Sequence, residues 1–180
     1  MKKFISIYKI NLLIALTLSI TLTALSVIKD PVLIALTFIC SILGTFILDL
    51  DYFIHAYLVE PEETFSKNLR AFIKHKDLSG ALTHIQVNGD TVKDKTLHSA
   101  LFQLLFAIFS IFVIYSDVYY PIKALVISIF ANTLYKVIEV YFTKDINEWF
   151  WSFKKVPDKK GFTIYLLSMF LIFGYCLFLI

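Results

Sequence analysis

Arginine is nearly missing from this chain: Arg70 stands alone beside 16 lysines among 180 residues. With a formal net charge of only +3 and no guanidinium cluster, the sequence carries no nucleic-acid signature. Glycine (5) and proline (4) are also scarce, which excludes a collagen-like or Pro/Gly-rich disordered chain. The two cysteines, Cys40 and Cys176, sit inside apolar runs without ligand spacing. They read as small hydrophobes, so neither a disulfide framework nor a thiolate metal site is expected.

What is abundant is apolar surface, with 58% hydrophobic residues and a mean hydropathy of +0.75. A soluble domain of this length builds its core with less, so the excess must face lipid. Five apolar runs are candidate spans: Ile10–Ile28, Val32–Leu50, Leu97–Tyr115, Ile122–Phe142 and Phe162–Ile180. Breakers agree with these limits, at Lys29-Asp30-Pro31, at Asp117 to Pro121 and at Pro157 to Gly161. The first run is expected to stay as a span and not to be cleaved as a signal, because it is long and Leu22 stands three residues before any cut after Ala24. The expected fold class is therefore all-α, a polytopic helical bundle of about five transmembrane helices forming one integral membrane domain over residues 1–180.

Charge orients it. Fourteen basic residues, including Lys2, Lys3 and Lys9, fall on one face and only Lys29 and Lys123 on the other. The positive-inside rule then places the N-terminus and the loops 60–96 and 143–161 in the cytoplasm. The expected location is the cytoplasmic membrane of a bacterium or archaeon. In the first loop, Phe65, Leu69, Phe72 and Ile73 recur on one face opposite Lys67, Arg70 and Lys74 after Pro61. This predicts an amphipathic helix over 61–77, lying on the inner surface and ended by Ser79-Gly80. Asn88-Gly89 marks a turn, and Thr96 is placed to cap the third span. Trp149, Phe150, Trp151 and Phe153 read as an interfacial anchor.

Ionisable groups near a bilayer point to function, because desolvation costs several kcal/mol unless they are paired. Asp49, Asp51, His55, His98 and Glu139 all fall near the cytoplasmic boundary, from three different spans. Polar stripes lead to them: Thr37, Ser41, Thr45 and Asp49 on one span, and Asn132, Lys136, Glu139 and Thr143 on another. Imidazole nitrogen and carboxylate oxygen are donors for Zn²⁺ and similar ions, and a site with an open water position is the catalytic arrangement. Asp49 and Asp51 diverge by about 200° on a regular helix, so either the helix unwinds near Leu50 or the two serve different roles. The plainer reading has Asp51, His55 and His98 as interfacial residues, with Lys136 paired to Glu139 at i, i+3. His75 and His84, in the polar loop, read as solvated.

The stretch Gly44-Thr45-Phe46-Ile47-Leu48-Asp49-Leu50-Asp51, followed by Thr96-Leu97-His98-Ser99 and by Glu139 ahead of Trp149 to Phe153, resembles the membrane-bound metal-dependent hydrolases of the YdjM type. That family has a D-x-D helix end, an H-x-x-x-x-H-S motif and a later H-x-x-x-D-x-x-T helix. Here Lys93 and Tyr135 stand where the family has histidines, and Glu139 where it has aspartate. The resemblance implies a divalent metal, Zn²⁺ first, held by Asp49, Asp51, His98 and Glu139, with His55 or His84 as a replacement ligand. Asp51 and His98 would act in catalysis on a phosphoester or phospholipid. The alternative is a non-catalytic membrane protein that docks a partner or lipid through its cytoplasmic loops. A solute carrier is disfavoured, because the chain has no inverted repeat and its charges gather at one interface.

The charge asymmetry makes orientation testable. A cysteine introduced at Asn88 should resist an impermeant thiol reagent in intact cells and react once the membrane is opened; labelling in intact cells would reverse the topology.

Overall fold

The computed structural model describes residues 8–26, 29–92, 95–143 and 146–180, and within them every regular element is helical. Lys2, Lys3, Ile28, Lys93, Lys144 and the side chain of Thr143, all used above, lie outside the described part. In chain order the elements are α1 (Lys9–Leu25), α2 (Pro31–Ile47), α3 (Leu50–Ile54) running into a π-helical turn (His55–Val59), α4 (Thr64–Lys74), α5 (Leu78–Asn88), α6 (Ala100–Tyr115), α7 (Tyr120–Thr143), α8 (Ile146–Trp149) and α9 (Lys159–Phe178).

Two helices are long and apolar enough to cross a membrane, Tyr120–Phe142 and Lys159–Phe178, and a third span results if α2 and the α3–π segment, bent by 46°, are counted as one. The remaining two expected spans are the shorter apolar helices Lys9–Leu25 and Ala100–Tyr115. At about 1.5 Å per residue, helices of that size reach only roughly 25 Å against a hydrocarbon core of about 30 Å.

Long helix α7 is the central post, packed by α2, α1, α6 and α9. The polarity of the bundle is inverted relative to a soluble protein. Hydroxyl and amide side chains such as Thr37, Ser41, Gln103, Ser128 and Asn132 are fully buried, while Leu105, Ile108, Phe112, Ile164, Leu171 and Phe178 face outward. Apolar packing alone gives helices in lipid no reason to associate, so small residues and interhelical hydrogen bonds do that work. The α2–α7 seam follows this rule. Ser128 donates to the Ser41 carbonyl at 2.6 Å, and a Cβ on Gly44 would sit 2.9 Å from Ser128 Cβ and 3.0 Å from the Leu125 carbonyl oxygen.

The elements between α2 and α6 depart from the sequence reading in three places. The amphipathic helix is confined to Thr64–Lys74, and its apolar face does not lie on the membrane. Phe65 and Leu69 instead join Tyr52, Ala56, Ala81 and Ile85 in one core cluster. Ser79-Gly80 does not end a helix but opens α5: Asp77 caps it by accepting the Gly80 N–H at 2.8 Å, and Lys76 just before it takes a positive φ of 57°. Finally, Ser99 and not Thr96 caps α6, accepting the Phe102 N–H at 3.2 Å. Thr96 is already committed, as described below. The aromatic run also divides: Trp149 and Phe150 are buried against Val137, Val140 and Phe162, while Trp151 and Phe153 stay exposed in the manner of an anchor.

Close approach at Gly44 sets the α2–α7 distance, so Gly44→Val should cost about 1–3 kcal/mol through overpacking. Gly174→Val, where an added Cβ meets nothing within 4 Å, should stay within about 0.5 kcal/mol. Unfolding of both variants in detergent checks the contrast.

Candidate functional site

The second span breaks after Ile47, and the break gives each acidic residue that follows a different partner. Asp49 receives the phenol hydroxyl of Tyr8, which precedes α1. Asp51, on the next turn, points to the segment that leads into α6. Its carboxylate accepts the backbone N–H groups of Thr96 (3.1 Å), Leu97 (2.8 Å) and His98 (3.1 Å). The same carboxylate meets His98 Nδ1 at 3.1 Å. An oxygen that already accepts backbone N–H groups accepts from the ring as well, so Nδ1 carries the proton and donates. The lone pair of the ring is then on Nε2.

His98 Nε2 is buried and has no hydrogen-bond partner among the described residues. The imidazole is almost fully enclosed by protein. It borders a cavity of about 30 Å³ whose walls are Tyr52, Lys95, Lys136, Glu139, Val140, Glu148 and Trp149. That volume suits one water or one ion, not a substrate. Lys136 and Glu139 form the expected i, i+3 ion pair at 2.9 Å. Lys95 donates to the Gly89 carbonyl at 3.0 Å and lies 5.5 Å from the centre of the Tyr52 ring. Tyr52 itself tilts against the imidazole at 5.5 Å between ring centres.

The expected ligand set therefore has to be redrawn. Asp49, Asp51, His98, Glu139 and His55 do not gather as one metal group. Among the described residues, the group of three whose ligand atoms lie within 4.8 Å of one another is His55, Glu60 and Glu63. The reason is the helix break: Asp49 turns to Tyr8, Asp51 is consumed by amides and by Nδ1, and His55 turns to Glu63 at 2.9 Å. Asp51 thus orients the His98 ring, and His98 Nε2 is the nitrogen left without a partner among the described residues. Glu139 shares the cavity with His98, and both offer donor types that divalent metals use. A buried nitrogen without a partner among the described residues, in a ring that lines the same ion-sized cavity as the Lys136-paired Glu139 carboxylate, is a donor set that could take such an ion.

Sequence reasoning missed Glu148, Lys95 and Tyr52 as walls, and Tyr8 as the partner of Asp49. Glu148 was overshadowed by the tryptophans beside it, and no periodicity links Tyr8 to a residue 41 positions away. His84 is not solvated. It stacks on Phe65 at 4.8 Å, and its ring nitrogens meet the Phe65 carbonyl (3.1 Å) and the Asn88 amide (3.1 Å). His75 is exposed, as expected. A larger hollow of about 490 Å³ opens beside His84 between α4 and α5, but the Asp77 carboxylate on its wall is occupied by the α5 cap.

Replacing Asp51 by Asn would set an NH₂ group against backbone N–H donors. Asp51→Asn should cost about 2 kcal/mol or more. Asp49→Asn should cost less, since an amide oxygen still accepts the Tyr8 hydroxyl. Thermal unfolding of both in detergent ranks them. Compared with known protein families, with curated proteins and with solved structures, the chain matches none of them.

Proposed function

We propose that this chain is a metal-dependent hydrolase at the cytoplasmic face of the membrane, with His98 Nε2 and the Glu139 carboxylate as protein ligands of a divalent ion, Zn²⁺ first. The observation that carries the reading is the Asp51–His98 pair. A carboxylate fixed by three amides orients the imidazole and fixes its tautomer, in a residue that lines an ion-sized cavity and whose Nε2 has no partner among the described residues. Metal-ligating histidines are held in this way by a carboxylate on the other ring nitrogen. When bound, such an ion lowers the pKa of a ligated water to about 7 and polarises a phosphoryl or acyl oxygen.

The remaining residues have separable tasks. Lys95 and Lys136 bring positive charge to the walls of the same cavity, which would attract an anionic phosphoester or phospholipid headgroup approaching it from outside. Trp149, almost fully buried, shields one wall from water. Exposed Glu148 stands where solvent reaches the cavity, in position to take or supply a proton.

The same proposal has the chain crossing the bilayer five times with a cytoplasmic N-terminus. Supporting this, α1 and α6 turn Leu13, Ile20, Leu105, Ile108 and Phe112 outward beside α7, and basic residues gather on one side of the sequence. Tilt and flanking residues can compensate for their modest length.

Metal content tests the function. Protein purified in detergent without chelator should retain a divalent ion and hydrolyse a phosphoester. His98→Ala should abolish hydrolysis and the one equivalent of metal held at this centre, Asp51→Asn should weaken the affinity of that centre by about 10–100-fold, and insertion into the membrane should survive in each. Hydrolysis that persists after chelation, or in His98→Ala, would exclude this centre and leave the loops as a docking surface for a partner or lipid.

A further inference from the structure

We infer that His55, Glu60 and Glu63 form a second divalent-metal site, separate from the His98 cavity, whose ion fastens the end of the bent second span to the start of α4. The argument begins with the backbone. Residues five apart on an α-helix point about 140° away from each other, so His55 and Glu60 would face different ways if the helix stayed regular. Here the helix widens to a π turn over His55–Val59, closed by the Glu60 N–H donating to the His55 carbonyl at 3.0 Å. Wide turns of this kind are rare and gather at functional sites. The widening swings Glu60 towards His55, and the turn that follows brings in Glu63 immediately before α4.

The result is a mixed donor set. His55 is buried, at 6% exposure, and presents Nε2 to Glu63 Oε2 at 2.9 Å. One ligand atom from each of the three residues lies within 4.8 Å of the other two. Two carboxylates that close repel unless a cation lies between them. Neighbouring cations are directed elsewhere: Lys67 pairs with Glu62 at 2.9 Å, and the Arg70 guanidinium donates to the Pro61 carbonyl. A neutral imidazole, two carboxylates and a divalent ion sum to zero charge. The imidazole favours a Zn²⁺-class ion over Ca²⁺ or Mg²⁺, which prefer oxygen alone. Because Glu60 is exposed, the ion can be loaded from solvent without opening the bundle.

Glu60 and Glu63 are suitable for substitution. Glu60 lies on the surface, and the Glu63 side chain makes no capping bond to α4, so glutamine at either position preserves shape and fold. Zn²⁺ binding to the full chain in detergent, measured by equilibrium dialysis after metal stripping, provides the test. His98→Ala should still bind one Zn²⁺ per chain, and adding Glu60→Gln with Glu63→Gln should abolish it. In otherwise wild-type protein the two glutamine substitutions should remove one equivalent and leave the His98-dependent one. Absence of Zn²⁺ from His98→Ala, or unchanged binding after the two glutamine substitutions, would overturn this site. If instead His98→Ala binds as much as wild type while the glutamine variant binds none, the His98 centre fails and this one stands.

Discussion

One carboxylate holds one end of the helical bundle in order. Asp51 accepts three consecutive backbone amides and an imidazole N–H, joining the far end of the second span to the segment that leads into α6. Those amides come just before the first turn of α6 and would otherwise lack a protein acceptor. Once they are satisfied by Asp51, Ser99 is free to cap α6, and the His98 ring has a single orientation. His98 and Glu139 line the same small cavity, and with Nδ1 tied to Asp51 the other ring nitrogen is the one without a partner among the described residues.

The bundle supports this geometry by packing polar atoms inside and apolar ones outside. Where α2 meets α7, Gly44 and Ser128 let the two backbones come close, and Ser128 bonds across the seam. Further down α7, Gln103 of α6 meets Thr133 at 3.4 Å and receives the Tyr165 hydroxyl of α9. Trp149 approaches that hydroxyl at 3.5 Å, so the wall of the cavity is continuous with the polar network that fastens α6, α7 and α9. A change in the bundle seam would therefore be felt at Glu139 and Trp149, one end of the same post.

Much of the fold was legible in the sequence, because its causes are local. Apolar run length, the Asp30-Pro31 start of α2 and the stripe Thr37, Ser41, Thr45 each follow from spacing, and the stripe is buried. Span number was less legible, since run length ignores where a helix is capped: α6 begins only at Ala100 because Thr96 to His98 serve Asp51. The candidate site was legible in its members but not in its wiring. Asp51, His98 and Glu139 stood out as costly residues near lipid, yet nothing in their spacing says that Asp51 spends its oxygens on amides or that Tyr8 covers Asp49. Such pairings join residues more than 40 positions apart, and only the tertiary fold determines them.

The bend at Leu48–Asp49 explains why one short segment supplies several different chemistries. On an unbroken helix, Asp51 and His55 would share a face at i, i+4, with Asp49 on the opposite side. Breaking the helix after Ile47, then widening it to a π turn at His55, redirects all three side chains. Asp49 goes to the approach to α1, Asp51 to the approach to α6, and His55 to the approach to α4. A straight helix would bring these groups into mutual contact or turn some of them to lipid, with a desolvation cost of several kcal/mol for each unpaired charge. Bending converts one costly cluster into three separate junctions, and the middle one leaves an imidazole nitrogen without a partner among the described residues, in a ring that lines the small cavity.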